Sequence, residues 1–309
     1  MTGFKNILVG IDTEQPDPGT LNQAKAIARR YDAKIKLLDT VPEFSWLSKA
    51  FTPRHKDLLE LLIQEQRERL DAIAVEIGSE GFDVSVRCQA GRQSAALIQE
   101  ATEGGHDLVM RVAKGRFSRR SGSMGTSAMK LLRRCPCALW LTKPGQTEPA
   151  ERVMAAVDAT PEDEDHGKLN FRILQLASEV CVKKEDLHAV YVWEVFGESI
   201  FKAKMPEDEF QTLEQEFRER NATSFNRVLE PHGLSLESPN VAMHHGDPVN
   251  VIPQSLASNS IDLLVMGTVA REGIPGMLLG NTAEALVDKI KCGLLTIHPG
   301  VLDSSSAAG

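Results

Sequence analysis

A chain of 309 residues with 42% hydrophobic and 25% charged side chains is ordinary for a soluble globular protein and has room for about two domains of roughly 150 residues. No apolar stretch approaches the roughly 18–20 residues of a membrane span, and no basic-then-apolar leader opens the chain, so a cytoplasmic protein without a membrane span is expected. The net charge of −8 argues against a nucleic-acid partner, and it is unevenly spread: residues 1–146 hold 22 Lys+Arg against 17 Asp+Glu, the remainder 13 against 26. Halves of opposite charge suit docking or antiparallel pairing of chains, or they are two solvated surfaces that drifted apart.

In chain order, Asn6–Ile11 and Ala33–Thr40 read as strands around a helix over Leu21–Tyr31. A long amphipathic helix covers Lys56–Ile77, where Leu59, Leu62, Ile63, Leu70, Ile73, Ala74 and Ile77 recur near helical spacing. Strands at Val84–Gln89 and Asp107–Val112 flank a helix at Ala95–Ala101. A helix over Thr126–Arg134 then leads to a strand at Ala138–Thr142. Lys143–Ala150, polar with two prolines, reads as a linker. The order then repeats, with strands at Arg152–Val157, Leu187–Val192, Val241–His245, Leu263–Met266 and Leu294–Ile297 and a long helix at Pro206–Leu229. Val301–Gly309 reads as a frayed tail.

The repetition extends to single residues. Ile7-Leu8-Val9-Gly10-Ile11-Asp12 returns as Val153-Met154-Ala155-Ala156-Val157-Asp158. Gly91, Asp107, Gly125 and Pro144 return as Gly246, Asp262, Gly280 and Pro299, each 155 positions on. The chain is thus two copies of one domain, 1–146 and 147–309. Alternating strands and helices give an α/β fold with a mostly parallel five-stranded sheet per copy.

Ligands of such sheets sit beyond the carboxyl ends of the strands. Asp12 and Asp158 stand there. In the second copy a loop from Gly267 to Thr282, rich in glycine, feeds a helix; its free N–H groups and positive dipole end suit phosphate, with Asn281 or Thr282 as the cap. The first copy has Lys114, Arg116, Arg119 and Arg120 in the matching loop, either an anion attractor or a solvated basic loop. Arg111, late in a buried strand, needs an acid such as Asp107 or Asp39, or else lines the site. No Walker A lysine and no G-x-S-x-G elbow is present. His244 and His245 point to opposite strand faces, which disfavours zinc. The five cysteines lack disulfide or zinc-knuckle spacing; Cys135-Pro136-Cys137 reads as small residues entering a buried strand, with redox or metal chemistry as the alternative.

These residues resemble the tandem form of the universal stress protein family over nearly the whole chain. Nucleotide-binding members carry Gly, two residues, Gly, nine residues, Gly, then Ser or Thr. The second copy gives Gly267, Ala270, Gly280 and Asn281, with Thr282 next; the first gives Val112, Gly115, Gly125 and Thr126. The resemblance implies two Rossmann-like domains of the adenine nucleotide alpha hydrolase-like type, packed as an internal pseudo-dimer through the last strand of each copy. It implies an adenine nucleotide (ATP, ADP or AMP, with Mg accompanying it) as ligand and a homodimer as the assembly. Asp12 with Thr40, and Asp158 with Val192, would hold adenosine. Ala270, Gly280, Asn281 and Thr282 would meet the phosphates. Val112, β-branched, fits a positive φ badly and crowds the ligand path, so the second copy is expected to be the better site.

The expected role is nucleotide sensing in the stress response by a binding protein, with no nucleophile–base set, no structural metal, and at most weak ATPase activity. Two other readings stand beside it. Phe44, Trp46 and Phe51, with Tyr191, Trp193, Phe196 and Phe201, occupy apolar segments that close the interdomain seam or wall a cavity there for an apolar ligand. Alternatively the chain is a protein–protein module with vestigial sites.

Overall fold

The computed structural model describes residues 3–42, 55–114, 124–160, 164–268 and 279–298. The first half runs β1 (Asn6–Gly10), α1 (Pro18–Tyr31), β2 (Lys34–Val41), α2 (His55–Ser79), β3 (Val84–Ala90), α3 (Gln93–Glu103), β4 (Leu108–Val112), α4 (Thr126–Arg134) and β5 (Ala138–Thr142). The second runs β6 (Val153–Val157), α5 (Glu164–Val180), β7 (Leu187–Trp193), α6 (Glu198–Lys204), α7 (Glu207–Leu229), β8 (Val241–His245), α8 (Pro248–Ser258), β9 (Leu263–Gly267), α9 (Asn281–Val287) and β10 (Gly293–Ile297).

Each half is the expected parallel five-stranded sheet, and the two fuse into one ten-stranded sheet of order β3-β2-β1-β4-β5-β10-β9-β6-β7-β8. The fusion is the antiparallel pair β5·β10, with Leu141 opposite Leu294, Trp140 opposite Leu295 and Leu139 opposite Thr296. Every residue of both strands is buried. Such all-apolar runs belong to strands covered on both faces, here by two hydrophobic clusters that each take residues from both halves. At roughly 1.5–3 kcal/mol for each large apolar side chain buried, this seam is a strong contact.

The linker is held against α1. Gln23 donates to Glu148 O at 2.9 Å and accepts from Ala150 N at 3.1 Å, while Asn22 donates to Thr147 O at 2.9 Å. A Cβ on Gly19 would lie 1.9 Å from Gln146 O, so this approach requires glycine. The end of α1 reaches the second half through Arg30, which donates to Cys181 O at 2.7 Å, and Tyr31, which donates to Glu179 O at 2.5 Å.

Three readings change. Helix α1 starts three residues early, at Pro18, because Asp17 caps it, accepting from Thr20 N at 2.8 Å. The aromatic segment after β7 contains a helix, α6, and does not close the seam. Tyr191 and Trp193 are core residues of β7, three strands from β10, whereas Phe196 is 95% exposed and Ile200 59%. Phe44, Trp46 and Phe51 lie outside the described residues. Among the described residues no helix is long and apolar enough to cross a membrane.

Candidate functional site

At the carboxyl ends of β1, β2 and β4 the first half opens into a cavity of about 1290 Å³. It brings together Asp12, Thr40, Gly125 and Thr126, four of the expected residues, with Asp39, Arg111 and Lys114. Gly115 lies outside the described residues. Gly125 is the N-cap of α4, with φ −79° and ψ 162°, and Thr126 opens the helix, so α4 presents its positive end here. Asp12 shapes the loop after β1, its Oδ1 accepting from Glu14 N at 3.1 Å and Gln15 N at 3.3 Å.

Asp39 is 4% exposed and well supplied with donors. Its Oδ2 accepts from Thr13 N and Gln66 Nε2, both at 2.8 Å, and its Oδ1 from Thr40 N at 2.7 Å. Burial raises its pKa, and those hydrogen bonds oppose the rise. Burial lowers the pKa of Arg111, and the charges of Asp12 and Asp39 oppose that. Arg111 therefore lines the cavity facing Asp12 and Asp39. Asp107 is not its partner: it stands at the other end of β4, accepting from Lys5 N at 2.6 Å and Asn6 N at 3.1 Å.

The sheet register supplies the internal comparison. Ile7 and Val153 stand opposite Leu108 and Leu263, and opposite Ile35 and Leu187, so Arg111 corresponds to Met266 and Asp39 to Tyr191. The helix partners correspond as well: where Gln66 donates to Asp39, Asn221 accepts from the Tyr191 hydroxyl at 2.5 Å. One half keeps a charged floor, and the other has exchanged it for a neutral buried pair and a methionine.

In the second half Gly280 N donates to Thr268 O at 3.1 Å beside Gly267, as Gly125 N donates to Ala113 O at 2.9 Å in the first, but the cavity at Asp158 takes in none of the other expected residues. Asp158 borders a separate cavity of about 250 Å³ between α5 and α7, with Thr160, Asn170 and Arg227. Its carboxylate accepts from Thr160 Oγ1 at 2.5 Å, and Asn170 bonds its backbone N–H at 3.1 Å and its C=O at 2.7 Å. Val192 is buried in the apolar cluster beside Ile252 and Met266. Gly267 lies in β9 under α5, where an added Cβ would come 2.8 Å from Leu169 Cδ2; this glycine makes room for a helix. The cap of α9 is Gly280 itself, not Asn281 or Thr282, which form the exposed first turn of a seven-residue helix. Ala270 lies outside the described residues.

Val112 is not at positive φ. Among the described residues only Asp32 and Ser260 combine a side chain with positive φ. Val112 sits in extended backbone opposite Thr142, whose Oγ1 lies 2.5 Å from the Thr20 hydroxyl. Asp39, Gln66 and Gln93 also line this cavity, and no motif in the sequence marks them as site residues. The available signal was a carboxylate at the end of an otherwise apolar strand.

Fold and geometry together define a tandem pair of Rossmann-like α/β domains, fused through their last strands and carrying a cavity with charged side chains at one switch point. The chain matches the universal stress protein family over residues 3–143 and 150–298 and belongs to it. It is 26% identical over 305 residues to universal stress protein E of Photorhabdus laumondii, covering 97% of this chain and 96% of that one. To universal stress protein E of Escherichia coli it is 27% identical over 304 residues, covering 97% and 95%. Among solved structures, a Pseudomonas aeruginosa protein described as functionally unknown superposes with TM-score 0.65 at 22% identity, covering 98% and 96%. A universal stress protein of Archaeoglobus fulgidus gives 0.63 at 14%, covering 95% and 98%.

Proposed function

We propose that this chain is a nucleotide-responsive regulatory protein of the stress response, located in the cytoplasm, and that its ligand occupies the first-half cavity. The observation that carries this reading is Arg111, set at the end of β4 in a cavity that also holds Asp12, Asp39 and the N-terminus of α4. The cavity holds two chemically different sets of groups. The carboxylates of Asp12 and Asp39 offer acceptors suited to a base and ribose hydroxyls. Arg111, Lys114 and the first N–H groups of α4 suit phosphate. An adenine nucleotide has both parts, and Mg would enter with its phosphates. The sequence pattern alone favours the second half, where Gly267 and Gly280 stand. The charge pattern favours the first, since Tyr191 and Met266 replace the ionic floor.

The test is calorimetric titration of the full chain with ATP and AMP, beside variants R111M and M266R. The reading requires binding that R111M weakens and M266R leaves intact. No binding of either nucleotide to the native chain would end it. A homodimer remains part of the proposal; with β5 and β10 paired to each other, a second copy would use another surface, such as the outer strands β3 and β8 of the described sheet.

A further inference from the structure

Helix α4 begins at the cavity and ends at Cys135, whose N–H donates to Leu131 O at 2.8 Å. Two residues on, Cys137 leads into β5 at the seam. Pro136 between them fixes its own φ, and the chain bends so that the two side chains turn to the same side. Their sulfurs lie 3.9 Å apart, with one thiol donating to the other. A disulfide needs roughly 2.0 Å between sulfurs, so closure is an approach of about 1.9 Å from a contact that already exists.

The second half provides a control within the same molecule. By the register of β4·β5 and β9·β10, Ile290-Lys291-Cys292 corresponds to Cys135-Pro136-Cys137. It keeps the second cysteine and lacks the first, so Cys292 has no neighbouring thiol at that place. Burial pushes the Cys292 thiol up to about 11, which makes it a poor nucleophile. Cys135 differs in kind: the hydrogen bond from the Cys137 thiol favours its thiolate and lowers its pKa. Cys135 is 8% exposed and Cys137 6%, which slows attack by bulky oxidants more than by a molecule close to water in size.

We infer that Cys135 and Cys137 form a reversible intramolecular disulfide in the presence of a hydroperoxide. The Cys135 thiolate attacks the peroxide oxygen, the O–O bond breaks, and hydroxide leaves as water after taking a proton. Cys135 is then a sulfenic acid. Cys137, already in contact, attacks that sulfur; the S–OH bond breaks, the S–S bond forms and a second water leaves. Two thiols have lost two hydrogens and one hydrogen peroxide has become two waters. A dithiol reverses the change by exchange. The bond would tie the end of α4, whose start lines the ligand cavity, to the seam strand.

The test is peptide mapping of the full chain after hydrogen peroxide, followed by blocking of free thiols and trypsin. Cleavage after Arg134 gives a peptide beginning at Cys135; it should be unblocked, lighter by two hydrogens, and restored by dithiothreitol. The Cys292 peptide should be fully blocked, and the thiol count in denaturant should fall from the five free cysteines to three. C137S treated in the same way should gain oxygen or a mixed disulfide at Cys135. The inference is overturned if Cys135 and Cys137 of the native chain both remain blockable after peroxide. It is equally overturned if they take up only oxygen, or if C137S and the native chain give the same products.

Discussion

Replacing Arg111 with methionine converts the first-half floor to what the second half already has at Met266. A guanidinium contact with an anionic ligand is a hydrogen bond to a charged group, worth about 1.5–3 kcal/mol. Its loss corresponds to roughly 10- to 150-fold weaker binding. The same change should leave ligand-free stability nearly intact. Burial opposes the Arg111 charge strongly enough to lower its pKa despite Asp12 and Asp39, so removing the cation relieves a desolvation cost. Asp39 keeps its donors from Thr13, Thr40 and Gln66, so it is not stranded. The assay is calorimetry for affinity, with urea denaturation of the apo protein beside it. Native-like affinity in R111M would refute the assignment of the anionic group to Arg111. Loss of affinity together with a large loss of stability would show Arg111 to be a structural ion-pair member instead.

Gly267→Ala places a methyl 2.8 Å from Leu169 Cδ2, so it should cost about 1–3 kcal/mol in denaturant stability while leaving nucleotide affinity unchanged. The reverse pattern would return the ligand to the second half. Glu100, 3% exposed, accepts from Lys36 at 2.7 Å, from Arg87, and pairs with His106 at 3.3 Å. Burial pushes its pKa up, but the hydrogen bonds from Lys36, Arg87 and His106 together with the Lys36 charge outweigh that and hold it below the usual value. Glu100→Gln should therefore cost about 1–3 kcal/mol near neutral pH, since it weakens three hydrogen bonds to a buried carboxylate whose cations Lys36 and Arg87 stay partly hydrated. A depressed carboxylate stabilises above its unfolded pKa and loses that contribution as pH falls through its folded pKa. The gap between native and E100Q should thus be full above about pH 4.5 and close on acidification, measured by denaturation at several pH values. A pH-independent gap would show that the charge is not the cause. Tyr191→Phe removes the hydroxyl bonded to buried Asn221 and should destabilise by about 1–3 kcal/mol, read from the denaturation midpoint; an unchanged midpoint would deny the pair its structural role.

Much of the fold was legible because its signals are local and repeated. The strands lie within a residue or two of the apolar runs, and an offset of 155 between Gly91 and Gly246 or Gly125 and Gly280 marked the duplication directly. What escaped depended on the third dimension. Gly267 fits a phosphate-loop glycine in sequence, yet in the fold it is the floor beneath Leu169; a glycine spared for packing and one spared for a ligand look alike in one dimension. The loop pattern suggests a positive φ at Val112, whereas its backbone is extended. The contrast between Asp39 with Gln66 and Tyr191 with Asn221 needed the sheet register, because the offset between halves is not constant: Asp12 recurs 146 positions on and Gly91 recurs 155 on. Helix α6 is short and contains Ile200 and Phe201, so its apolar residues read as an irregular segment.

The claim that the ligand belongs to the first half is tested most directly by hydrogen–deuterium exchange of the full chain with and without saturating ATP. Ligand contact slows exchange where it holds backbone that otherwise opens. The account predicts slower exchange in peptides covering Asp39–Val41, Arg111–Lys114 and the start of α4 at Gly125–Met129, with the start of α9 at Gly280–Leu286 unchanged. Protection at the start of α9 with none at the start of α4 would contradict it.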